Sequence, residues 1–249
     1  MSQKKVFVAS DEAKGKAKQL RLFAFIAWIV AIAGQVYAIF NLISDEMLTW
    51  LIVAIVVILA LTITGNLLWK KANKLDPASE KDKVKFFIQS QLGVFMSVLA
   101  FLPMVILILS NKEISGKTKG IAGVIAVIGM LVAGATGVDF NPPSIEQYTE
   151  EINKQTTELK ELNFDNDNFY WTKAGNKYYI FEDCQHIKDR DVINSETVKE
   201  SWEQKGISEL CKTCKKKAEK ARDEALKLPQ TKEVTEPVEE KVESEVETE

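Results

Sequence analysis

Four stretches of this chain carry no charged residue, and they limit its fold more than any other feature. They are residues 22–43, 47–69, 86–110 and 121–138. A helix crosses the hydrocarbon core of a bilayer with about 20 apolar residues, and each stretch meets or approaches that length. The competing reading, four buried core helices of a soluble protein, would need four helices free of charge on every face. The sequence therefore reads as an α-helical membrane protein with four transmembrane helices, whose first partner is the lipid bilayer. A cleaved signal peptide ending near Val36-Tyr37-Ala38 competes for the first stretch, but the run is too long and starts too late for one.

Basic residues orient the spans. The leader, residues 1–21, carries six, and the loop at 70–85 carries six lysines. The first short loop carries none, and the loop before the fourth span has Lys112, Lys117 and Lys119. Twelve against three places both termini in the cytoplasm of a multi-pass protein of the cell (inner) membrane.

Within the spans, Pro103 lacks an amide hydrogen and so frees the carbonyl of Leu99, which predicts a kink. Ala122, Ala126, Gly129, Ala133 and Gly137 form a small-residue stripe that would permit close helix packing. Asn66, Gln89 and Gln91 lie near the cytoplasmic ends, where they can bond between helices, and Gln35 and Asn41 lie toward the outer half. No span contains Asp, Glu, Lys, Arg or His, which argues against ion-coupled transport but not against a passive pore.

Residues 139–167 read as a linker. Ser144 caps a helix whose Ile145, Tyr148, Ile152, Leu159 and Leu162 fall at heptad positions. This is either a coiled-coil stalk through which the chain oligomerises or an amphipathic helix lying against a neighbour. Barely two and a half heptads favour the second. A polar hinge at 163–168 follows. Phe169-Tyr170-Trp171-Thr172 and Tyr178-Tyr179-Ile180-Phe181 flank Ala174-Gly175-Asn176, the pattern of a β-hairpin. A helix is expected at 195–204, capped by Ser195 or Thr197 and stopped by Gly206, and another from about 214 to 226. Residues 228–249, with eight glutamates and no aromatic residue, read as an acidic disordered tail.

All three cysteines and the only histidine fall in one short region, as Cys184-Gln185-His186 and Cys211-Lys212-Thr213-Cys214. Thiolate and imidazole in two close pairs are what one tetrahedral, structural Zn²⁺ ion requires. The metal ligands are accordingly Cys184, His186, Cys211 and Cys214. A thioredoxin-like dithiol at Cys211 and Cys214 would need a βαβ unit, which the pattern lacks. Metal would also hold together a domain, 168–227, too small for a large core.

Tyr170-Trp171-Thr172-Lys173, Gly175, Lys177-Tyr178, Cys184-Gln185-His186-Ile187, Gly206 and Leu210-Cys211-Lys212-Thr213-Cys214 together resemble a small zinc-ribbon-like module. That module stands at the C-termini of assorted bacterial membrane and secreted proteins, and its two-pair layout is similar to the metal-binding domain of the Ada DNA-repair protein. The resemblance covers residues 168–218 and implies a cytoplasmic α+β zinc-ribbon-like domain. Such modules often carry histidine directly after the residue matching Tyr178. Here that place is Tyr179, and His186 is the candidate fourth ligand. The methyl-acceptor chemistry of Ada does not carry over.

Lys212, Lys215, Lys216, Lys217, Lys220 and Arg222 suggest a patch for nucleic acid or anionic lipid, but Glu219, Asp223 and Glu224 favour a solvated helix. The expected function is an interaction or regulatory and sensory anchor that offers its zinc module to a protein partner. The alternative is a small channel or transporter subunit with a regulatory zinc module. Paired intramembrane carboxylates and phosphate-binding loops, which an enzyme would call for, are missing from the sequence.

Overall fold

The computed structural model describes residues 6–163, 166, 168–172, 174–190, 193–204, 207 and 209–227. The expected stop at Gly206 and the acidic tail at 228–249 lie outside the described residues, as does part of the hinge at 163–168.

Four helices hold the apolar stretches: α1 (Asp11–Asn41), α2 (Leu48–Leu75), α3 (Lys83–Ser110) and α4 (Gly116–Gly137). Each is long and apolar enough to cross a membrane. The helices outrun the charge-free stretches because local capping, not hydropathy, sets their ends. Ser10 accepts a hydrogen bond from the amide of Ala13, and Asp11 and Glu12 follow in the first turn. The leader is thus mostly the first turns of α1. Asp82 caps α3 through the amide of Lys85, and Ser115 caps α4 through the amide of Thr118.

Small residues share the bundle interior with Trp28, Phe101 and Met104, and many other large apolar side chains face outward. Ala122, Ala126, Gly129, Ala133 and Gly137 are all buried, so the stripe read from the sequence is the packed face of α4. At Gly137 an added Cβ would stand 2.6 Å from the backbone carbon of Gly93, so here two backbones meet with no room for a methyl group. Ile29, Trp50 and Leu131 face outward, each more than 60% exposed, a surface suited to hydrocarbon and not to water.

Most buried polar groups in the bundle find partners, Asn73 Oδ1 being an exception. The Asn66 amide nitrogen lies 3.0 Å from Ser97 Oγ and 2.9 Å from the Ala133 carbonyl, while its oxygen accepts from Trp28 Nε1 at 3.2 Å. The carbonyl that Pro103 orphans is met from another helix. Gln35 is 2% exposed. With its amide oriented to satisfy both neighbours, it donates to the Leu99 carbonyl at 3.0 Å and accepts from the Met104 amide at 3.3 Å.

The rest of the chain forms a second body: α5 (Ile145–Leu162), β1 (Asn168–Trp171), β2 (Lys177–Tyr179), β3 (Asn194–Thr197), α6 (Val198–Gln204), β4 (Glu209–Leu210) and α7 (Lys212–Lys227). Its sheet has the order β3-β1-β2-β4. β1 pairs antiparallel with both β2 and β3, and β2 pairs parallel with β4. The expected hairpin is present, with Tyr170 opposite Tyr179. β3 replaces the start of the helix expected from residue 195. Thr197, not Ser195, caps α6: its hydroxyl and amide bond the Glu200 carboxylate at 2.9 Å, a capping box.

α5 is no free-standing linker. Its Ile152, Leu159 and Leu162 are buried in one core with Phe169, Tyr178, Trp202 and the three cysteines. Trp202 Nε1 donates to Gln155 Oε1 at 2.7 Å, which explains the polar residue that interrupts the heptad pattern. The same core takes in Phe7, Ala9 and Ala13. Phe7 meets the Tyr148 ring edge-on at 5.1 Å, and its amide donates to Thr149 Oγ1. The turn between α2 and α3 joins the same end of the bundle: the amide of Ile145 donates to the Ala78 carbonyl, and Glu146 accepts from Ser79 Oγ and the Glu80 amide.

Candidate metal centre

Three elements bring the cysteines together. Cys184 follows a tight turn after β2, its amide donating to the Phe181 carbonyl and its own carbonyl accepting from Ile187 and Lys188. Cys211 leaves β4, and its amide donates to the Tyr178 carbonyl at 2.9 Å, which pins it to the parallel edge of the sheet. Cys214 lies in the first turn of α7. All three are buried, and their sulfur atoms lie within 4.8 Å of one another. The Cys184 and Cys211 sulfurs are 3.9 Å apart. Two thiolates at about 2.3 Å from a tetrahedral zinc ion stand about 3.8 Å apart, so this edge has the length a metal imposes. The geometry fits a metal ion, and these three cysteines could hold one.

The surroundings favour thiolate at Cys211 and oppose it at Cys214. Burial works to raise the Cys211 thiol, but the backbone amides of Cys214 and Thr213 outweigh it and hold it below the ordinary value. Burial pushes the Cys214 thiol up to about 12, against the backbone amides of Phe181 and Ile180. Cys211 therefore gives up its proton before Cys214, and a metal ion would have to displace the second one. Cys211 stands at a strand-to-helix junction, as a redox dithiol would, but Cys184 turns the pair into a three-sulfur cluster.

His186 does not join the cluster. It is exposed, and its Nε2 lies 3.3 Å from Thr213 Oγ1, against the residue between the two paired cysteines. Tyr179 belongs to the same core as the cysteines. It is buried, and its hydroxyl is raised first by burial and then by Cys211, Cys184 and Cys214.

The basic residues of α7 are largely answered within the chain. Lys215 pairs with Glu158 at 2.6 Å, Lys217 pairs with Asp183 at 3.1 Å and lies over the Phe181 ring, and Lys220 reaches Glu224. This is the pattern of a solvated helix face.

No protein-family model matches the chain, and no curated protein and no solved structure shows significant similarity to it. These comparisons show no similarity to the Ada metal-binding domain.

Proposed function

We propose that the chain is a four-span anchor of the cell (inner) membrane that holds a zinc-stabilised module at the cytoplasmic face for a protein partner. The observation that carries this reading is the trio of buried sulfurs at metal-site spacing, in a module whose core includes the start of α1 and the face of α5. One structural Zn²⁺ ion would be bound by Cys184, Cys211 and Cys214. A rotation of the exposed His186 ring would add the fourth ligand, and such an ion would fix three separate segments with one set of bonds.

The state of the bundle amides supports an anchor over a channel subunit. Gln35 is tied to the α3 backbone, Gln89 donates to the Asp76 carbonyl at 2.8 Å, and Gln91 reaches the Asp139 carbonyl at 3.4 Å. Their amides are engaged in hydrogen bonds that tie helices and loops together, which supports a packing role.

The test is elemental analysis of the full chain purified in detergent. One zinc per chain is expected, with loss in Cys211→Ser and Cys214→Ser. His186→Ala and Tyr179→Phe separate the two candidates for the fourth position: tight zinc that survives His186→Ala but not Tyr179→Phe moves the assignment to the tyrosine. A metal-free chain whose module resists chelator and protease unchanged would end the zinc reading.

A further inference from the structure

A cavity of about 470 Å³ opens between α1, α2 and α3 at the end of the bundle that carries the module. Its depth is set by the sequence. Arg21 immediately precedes the first apolar stretch, Trp69 ends the second, and Lys85 immediately precedes the third. Basic and indole side chains at that boundary lie level with lipid phosphates.

The cavity has a polar end and an apolar wall. Arg21 donates to the Asp76 carboxylate and the Asp76 carbonyl, both at 2.8 Å, and lies 5.7 Å over the Trp69 ring. A guanidinium has five N–H groups, so this clamp fixes Arg21 while leaving donors for a further anion. The Lys85 ammonium makes no hydrogen bond or ion pair among the described residues. The one acid of the lining, Asp82, is turned to the Lys85 amide at 3.1 Å as the cap of α3. Asp76 thus answers Arg21 and Asp82 is engaged as a cap, which leaves the Lys85 ammonium as the unanswered charge of the lining. Val84 and Ile88, both exposed to the outside of the bundle, form the wall.

We propose that this cavity binds an anionic phosphoglyceride of the adjoining leaflet, with Arg21 and Lys85 on its phosphate and an acyl chain along Val84 and Ile88. A free anion would use the cations but gain nothing from the wall. The proposal rests on the bundle being membrane-embedded and is independent of the metal.

The experiment uses the full chain in a neutral detergent, titrated with dioleoylphosphatidylglycerol, dioleoylphosphatidylcholine or glycerol 3-phosphate, and read by native mass spectrometry and thermal unfolding. Phosphatidylglycerol should be retained and should raise the unfolding temperature at lower concentration than phosphatidylcholine, and glycerol 3-phosphate should do neither. Lys85→Gln should weaken the apparent phosphatidylglycerol affinity about fivefold, the contribution of one basic residue at an anionic surface. Lys71→Gln, which removes an exposed lysine of the same border that does not line the cavity, should leave it unchanged. Ile88→Trp, which fills the cavity from its apolar side, should abolish retention. Equal losses from Lys71→Gln and Lys85→Gln would reduce the effect to a diffuse surface field and overturn the site. Equal binding of the two lipids, or binding of glycerol 3-phosphate as tight as that of phosphatidylglycerol, would also overturn it. A chain that leaves the membrane fraction without detergent would refute the membrane reading instead, a separate outcome.

Discussion

Replacing Gln35 by leucine tests whether a proline in one helix is compensated by an amide in another. Pro103 cannot donate to the Leu99 carbonyl, and Gln35 does so at 3.0 Å while accepting from the Met104 amide at 3.3 Å. Interhelical hydrogen bonds inside a bilayer contribute about 0.6 kcal/mol on average and at most about 1.7 kcal/mol. Two such bonds, lost at a site where the carbonyl is left with no donor, should make Gln35→Leu cost about 1–2 kcal/mol. In a Pro103→Ala background the new amide at position 103 donates to Leu99 along the helix, so the same change should cost about nothing or stabilise, because a partly unpaired amide then leaves the core. The assay is reversible unfolding of all four variants in mixed micelles, analysed as a double-mutant cycle. A coupling of about 1 kcal/mol is expected. Costs equal in the two backgrounds, within the ~0.3–0.5 kcal/mol of ordinary additivity, would refute the compensation.

Three further outcomes are expected. Gly137→Ala should lower stability in detergent by about 1–3 kcal/mol, because the new methyl meets the Gly93 backbone and has no side chain to push aside, whereas Gly134→Ala, with nothing within 4 Å, should not. Burial works to raise the Glu146 carboxyl, but the Ser79 hydroxyl and Glu80 amide outweigh it and hold it below the ordinary glutamate value. The contact therefore stabilises above that ordinary value and is lost as pH falls through the depressed one, so acid should loosen α5 from the α2–α3 turn, and Ser79→Ala should shrink that pH dependence in hydrogen exchange. On the proposed topology, a thiol reagent that cannot cross membranes should label Ser44→Cys in intact cells and miss Lys81→Cys. The reverse pattern would invert the topology.

The apolar helices were legible because bilayer length is a one-dimensional property of sequence, and the small-residue stripe was legible because α4 has helical periodicity. The orphaned Leu99 carbonyl could be read from Pro103, but not its partner, since nothing local tells Gln35 which helix it will face. β3 escaped notice because Asn194-Ser195-Glu196-Thr197 has neither alternation nor β-branched density, and its place in the sheet comes from pairing with β1. β4 is two residues long and exists through β2. The heptad positions of α5 were read correctly as an apolar face, but whether that face meets a second chain or its own module is a tertiary question. The three cysteines were legible through spacing. The structure sets His186 outside the cluster, a matter of turn geometry that spacing does not encode.

Because α1 is unbroken over 31 residues, it is a rod about 46 Å long. Its first turn is wedged into the module at Ala13, and its last lies at the opposite end of the bundle. Any displacement of the module must either tear Phe7 and Ala13 out of their seats or carry the whole rod with it. The module and the far end of the bundle are thus joined through a single unbroken helix.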